Sequence, residues 1–270
     1  NEITSGLEHL LEEYTNYENA NGVWISGFFG SGKSHLLKML AHLLGDVDGQ
    51  DYSRSSVVEG FKEKAGDSAF LQASLTKSES IPSKSLLFNI DQKATLIAKD
   101  QTDALLKVFV KVFDESRGYY GNQGHVAKFE ADLDGRGQYQ EFKDAYARIS
   151  GRPWEQGREE GVLEEHNVAA AYAEVTGQTE GTPTNILTKY RNEYGVSIED
   201  FAEDVKAWLD KQEPGFRLNF FVDEVGQFIG NDTKLMLNLQ TIAESLNTKC
   251  NGQAWVFVTS QEDMEKILGD

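Results

Sequence analysis

The sequence predicts an α/β fold, a parallel sheet covered by helices on both faces. Two observations lead there. Short apolar runs alternate with helical stretches in the order strand, helix, strand, helix, long insertion, strand, helix, strand. A glycine-rich turn, Gly27–Gly32, joins the first apolar run to a leucine-striped helix.

The elements follow in chain order. Ile3–Tyr17 places Leu7, Leu10, Leu11 and Tyr14 at i, i+3, i+4, i+7 spacing, which predicts a helix. Asn19–Gly22 is turn-like, and Val23–Ser26 reads as a short buried strand. Lys33–Leu44 carries Leu36, Leu37, Leu40, Leu43 and Leu44 on one face, and Gly45 is expected to stop this helix. Asp46–Ser85 is polar, with a weak helical pattern near Val57–Ala65. Leu86–Ile90 is a second apolar run, and Thr102–Phe113 a helix with Leu105, Leu106, Phe109, Val112 and Phe113 on one side. Arg117–Gln212 is charged, punctuated by glycine and mostly helical in period, so residues 117–212 read as a helical insertion within one domain spanning 1–270. Trp154 and Trp208 are expected in cores there. Leu218–Val222 and Ala254–Thr259 are strands, separated by a helix over Lys234–Leu246.

Composition narrows the function classes. Among 270 residues, 44 Asp and Glu oppose 26 Lys and Arg, for a net charge of -18. Such a chain repels nucleic-acid phosphates on average, so direct DNA contact would need a local basic cluster and is expected to be weak and salt-dependent. The single cysteine, Cys250, excludes an internal disulfide framework and a multi-cysteine zinc site. His9, His42, His125 and His166 lack partners at metal-ligand spacing. No apolar run approaches a membrane span, and no signal peptide opens the chain, so a cytoplasmic setting is the expectation.

The segment Gly27-Phe28-Phe29-Gly30-Ser31-Gly32-Lys33-Ser34 fits G-x-x-x-x-G-K-[ST], the Walker A pattern. Its glycines let several backbone N–H groups surround a phosphate. Lys33 is expected to reach the β- and γ-phosphates of ATP, and Ser34 to ligate Mg²⁺. The following helix turns its positive end toward the same anion. The bulk of Phe28 and Phe29 either shields the phosphates or packs on the sheet, and packing is the favoured reading. His35, next in line, is expected on the helix surface.

Leu218–Glu224, an apolar strand ending in two acids, matches Walker B. Asp223 would join the Mg²⁺ shell, and Glu224 would orient and deprotonate the attacking water. At the tip of the last strand, Gln261 is the first choice and Ser260 the second for a sensor of the γ-phosphate. A helix cap before Glu262-Asp263 is the competing reading. Asp91 and Gln92 should lie at the same sheet edge, with a plain loop role favoured. The fold expectation sharpens accordingly to a P-loop NTPase. No N-K-x-D string favours guanine, and the Asp-Glu pair favours water attack over a kinase.

Three segments, Trp24–Leu40, Leu87–Gln92 and Phe220–Ile229, resemble the large P-loop protein family of the BREX phage-defence system, BrxC, with PglY as a relative. Leu237–Thr241 and Val258–Asp263 are similar to it as well. The resemblance implies an AAA+-like fold and an N-terminal ATPase portion of a longer protein. The chain starts at Asn1 and is expected to lack further strands and the C-terminal lid. It also implies an anti-phage complex containing an adenine-specific DNA methyltransferase and a PglZ-like phosphatase, with nucleotide-dependent homo-oligomers. An arginine finger is not assignable among Arg148, Arg152, Arg158 and Arg191. A nucleotide-gated scaffold with little turnover is the alternative function.

Overall fold

A computed structural model describes residues 2–16, 21–95, 97, 102–178 and 184–261. The chain divides into two compact units, Asn1–Val108 with Val196–Asp270, and Phe109–Gly195. No helix among the described residues is long and apolar enough to cross a membrane.

The first unit is built on five parallel strands: β1 (Gly22–Ser26), β2 (Asp46–Val47), β3 (Ser83–Asn89), β4 (Arg217–Asp223) and β5 (Ala254–Ser260). Their order is β1-β5-β4-β3-β2. The fully buried β5 and the nearly fully buried β4 sit centrally, which explains their largely apolar text, interrupted in β4 by Asn219. In-register pairs such as Asn89 with Asp223 and Ser26 with Ser260 bring the carboxyl ends of β3, β4, β5 and β1 to one edge. Ligands of open parallel sheets bind at such an edge.

Alternation along β4 sends neighbouring side chains to opposite faces. Phe221 stacks on Phe257, centroids 4.3 Å apart, in a core with α1 (Glu2–Asn16) and α2 (Lys33–Leu44). That core also holds Val58 of α3 (Arg54–Ala65) and Leu71 and Leu75 of α4 (Ala69–Glu79). On the other face Phe220 meets Phe201 of α12 (Ile198–Leu209), which packs on α14 (Thr233–Lys249). Buried Asn219 donates from Nδ2 to the Tyr14 hydroxyl at 2.9 Å and to the Leu44 carbonyl at 3.1 Å, tying β4 to α1 and α2.

Several elements differ from expectation. The strand starting at Leu86 begins at Ser83 and ends at Asn89; Ile90 opens the four-residue helix α5 (Ile90–Lys93). Gly45 does follow α2, but in an extended conformation (φ -177°) rather than a left-handed one. Glycine is required there because a Cβ would lie 2.6 Å from Ser85 Oγ and 3.0 Å from the backbone of β3. Within the polar stretch 46–85, α4 had no strong apolar period. Its start is marked instead by Ser68, whose hydroxyl accepts the Leu71 N–H at 3.3 Å. Arg54 donates to the carbonyls of Leu43, Ser78 and Ile81, satisfying the ends of α2 and α4 together. Tyr17, expected in the first helix, lies outside the described residues.

The second unit is helical. The division falls within α6 (Ala104–Ser116). Beyond it come α7 (Gly124–Gly135), α8 (Tyr139–Ser150), α9 (Trp154–Glu160), α10 (Glu165–Thr176) and α11 (Ile186–Glu193). Phe129, Phe142, Tyr146 and Trp154 form its aromatic centre. Fully buried Glu130 accepts from Trp154 Nε1 at 2.7 Å and from the Tyr120 N–H at 2.6 Å, and pairs with Arg158 at 3.1 Å. A buried carboxylate requires that set of partners. Of residues 117–212, those to 195 belong to this unit, while α12 belongs to the first. Trp154 is buried as expected; Trp208 is only half-buried, against Phe216.

Candidate functional site

At the carboxyl edge of the sheet, β1 runs into the glycine-rich loop. Gly30 and Gly32 adopt φ of 78° and 87°, left-handed conformations that glycine enters without penalty. The loop closes with a hydrogen bond from the Ser31 N–H to the Phe28 carbonyl, 3.1 Å. Lys33 Nζ donates to the carbonyls of Gly27 at 2.6 Å and Phe28 at 2.8 Å. Phe28 and Phe29 are 88% and 89% exposed, which overturns the expectation that they pack on the sheet. Helix α2 begins without a side-chain cap, so its first-turn N–H groups have no acceptor from that source.

Ser34, in that first turn, donates from Oγ to Asp223 Oδ1 at 3.0 Å. The same carboxylate oxygen accepts from the Thr259 hydroxyl at 2.6 Å and from the Glu224 N–H at 3.2 Å. Thr259 Oγ1 in turn accepts the Glu224 N–H at 2.8 Å. Glu224 stands at φ 64°, ψ 26°, an unusual conformation for a residue with a Cβ. Its Oε2 accepts from Asn89 Nδ2 at 2.6 Å. Helix α13 (Val225–Ile229) follows directly.

These groups line one cleft of about 300 Å³. Of the residues proposed from sequence, Phe29, Gly30, Gly32, Lys33, Ser34, His35, Asp223, Glu224, Ser260 and Gln261 line it. Gly27, Phe28 and Ser31 shape the loop without lining the cleft. His35 is exposed, as expected of a helix-surface residue. Between the two sensor choices, Gln261 is exposed, whereas Ser260 is 3% exposed and lies against Gly226. The competing cap at Glu262-Asp263 falls outside the described residues. Asp91 and Gln92 belong to α5 and do not line the cleft; the Gln92 N–H caps onto Asn89 Oδ1 at 3.2 Å.

Asn89, Thr259 and Gln227 were not assigned roles from sequence. Asn89 and Thr259 could have been noticed as polar residues closing apolar strands, but such endings are common. Only the pairing of β3, β4 and β5 shows what they face.

This donor set could hold a hydrated divalent cation. Ser34 and Asp223 contribute one hydroxyl and one carboxylate. No group of three or more His, Cys, Asp or Glu capable of holding a metal occurs among the described residues. Mg²⁺ is commonly held by one or two protein oxygens plus water and phosphate. Lys33 and the uncapped first turn of α2 could hold an anion beside such a cation.

No family model matches this chain, and no solved structure matches it.

Proposed function

We propose that this chain binds Mg-ATP in the cleft and hydrolyses it, as a P-loop, AAA+-like ATPase with residues 109–195 as an inserted helical unit. The observation that carries the reading is the hydrogen bond from Ser34 to Asp223. It joins the first turn of α2 to the tip of β4 across 189 residues of sequence. Lys33 exchanges its two loop carbonyls for phosphate oxygens when nucleotide enters. Ser34 and Asp223 would hold Mg²⁺, which would supply positive charge beside the phosphates. Glu224, oriented by Asn89, takes the proton of the attacking water. Gln261 faces the same space and supplies an amide for the γ-phosphate.

Glu224→Gln tests this. The variant should retain Mg-ATP binding by calorimetry and lose phosphate release by about 100-fold or more. Parental turnover would exclude Glu224 as the base, and flat calorimetry with the parent protein would exclude the site.

A second reading, a nucleotide-gated scaffold with little turnover, draws on one observation. No arginine is among the described residues lining the cleft, so the transition-state charge has Lys33 as its only strong local cation. Binding without phosphate release would select it.

The similarity of Trp24–Leu40, Leu87–Gln92 and Phe220–Ile229 to BrxC and PglY extends the proposal to a BREX anti-phage complex in the cytoplasm. The partners would be a DNA methyltransferase, a PglZ-like phosphatase and further copies of this chain. Co-purification of those proteins with the tagged chain, and particle mass with and without ATP, test that extension.

A further inference from the structure

The tip of β5 carries a hydroxyl in an unusual position. Thr259 is 2% exposed, and its Oγ1 lies between the Asp223 carboxylate that ends β4 and the N–H of Glu224 that follows it. A threonine hydroxyl has one proton and two lone pairs. The proton goes to Asp223 Oδ1 at 2.6 Å, and a lone pair receives the Glu224 N–H at 2.8 Å. Both bonds run from β5 to the β4 tip, beyond the last paired residues Val222 and Val258. They therefore continue the association of β4 and β5 by a side chain, one residue beyond the Val222–Val258 pair.

The second bond bears on strain. Glu224 holds φ 64°, ψ 26°, a conformation disfavoured by its Cβ. Such a residue keeps that geometry when surrounding contacts over-determine it. Here the N–H is fixed by Thr259, with a longer contact to Asp223 Oδ1, and the carboxylate by Asn89. Ser34 also donates to Asp223 Oδ1, but its oxygen is the one assigned to the metal. Thr259 has no such second duty.

We infer that Thr259 is a positioning residue, whose single hydroxyl sets the Asp223 carboxylate for the cation and locks the Glu224 backbone in the turn that presents its carboxylate to the cleft. The inference rests on the ATPase reading for its catalytic consequence, while the clasp itself is independent of nucleotide.

The test compares Thr259→Val, nearly isosteric but without the hydroxyl, with Thr259→Ser, which keeps it, in the 270-residue chain. Thr259→Val should lower kcat for phosphate release 10- to 100-fold, as loss of a partner behind a metal ligand does. KM for ATP should move less, and the Mg²⁺ concentration for half-maximal rate should rise. Thr259→Ser should recover most of the rate. A general packing defect would not shift the Mg²⁺ requirement or be rescued by serine. If Thr259→Val does not fold, Thr259→Ala is read in its place. Amide hydrogen exchange at Glu224 is the nucleotide-free readout and should quicken at least about tenfold in Thr259→Val. Parental exchange at that amide, or parental kcat and Mg²⁺ dependence, would overturn the inference. If the parent protein neither binds nor hydrolyses Mg-ATP, the nucleotide reading fails, and the exchange measurement alone decides on the clasp.

Discussion

Gly226 offers the sharpest probe of how the tip of β4 is held. It is the second residue of α13, and an added Cβ would lie 1.9 Å from Ser260 Oγ, 2.6 Å from Ser260 Cβ and 3.0 Å from Ser260 Cα. The first contact is roughly 1.5 Å shorter than ordinary van der Waals separation. Rotating the serine hydroxyl relieves it, but rotation cannot remove Cβ or Cα. Gly226→Ala therefore pushes the β4–α13 turn away from β5. The Glu224 N–H bond to Thr259, two residues away and now 2.8 Å, is the contact expected to stretch. Overpacking of this kind destabilises by about 1–3 kcal/mol. A displacement of about 1 Å at a reacting group lowers turnover on the order of 100-fold. Urea unfolding and phosphate release measure the two effects. Ser260→Gly removes both the hydroxyl and Cβ, so the double variant should recover a substantial part of each. Parental stability and turnover in Gly226→Ala would refute the reasoning, as would a double variant no better than the single one.

Two further outcomes are expected. Asn89→Ala removes the amide that holds Glu224 Oε2 at 2.6 Å. Loss of a hydrogen bond to a charged group should lower kcat by about tenfold while KM for ATP stays within about twofold; steady-state kinetics showing no change in kcat would separate Asn89 from the reaction. In the helical unit, hydrogen bonds from Asn167 and Tyr146, with Arg152 alongside, hold the Glu164 carboxyl below the usual carboxylate range against the opposing effect of burial. A depressed folded-state pKa stabilises the protein above the unfolded value of about 4.3, and that contribution fades as pH falls through the folded value. The gap in unfolding free energy between parent and Glu164→Gln, read in urea at pH 7, 5, 4 and 3, should narrow toward acid. A gap independent of pH would mean that the carboxylate charge is not what these partners stabilise.

Local text was sufficient for the elements whose chemistry is local. The leucine spacing of Lys33–Leu44 gives the same helix limits that the structure shows, because an apolar stripe at helical period and a following glycine both act within a few residues. The apolar runs of β4 and β5 were legible because both strands are buried on two faces. Helix α4 was not, since Leu71 and Leu75 alone make a weak stripe and its packing against α1 and α3 comes from distant residues. Phe28 and Phe29 went the other way. Bulk apolar residues are normally read as core, but both rings lie on the exposed loop between β1 and α2, and no local pattern distinguishes that from packing on the sheet.

By itself the sequence determined the α/β class and singled out Lys33, Ser34, Asp223 and Glu224, because a glycine-spaced turn ahead of a helix and an acid-tipped apolar strand are patterns of neighbouring residues. Tertiary structure alone decided that Ser34 meets Asp223, that Thr259 bridges Asp223 and Glu224, and that Asn89 holds the Glu224 carboxylate. Those contacts depend on strand order and register, which place β5 between β1 and β4, and β3 beside β4. Register is a property of how strands from distant parts of the chain pair, and no short stretch of residues encodes it.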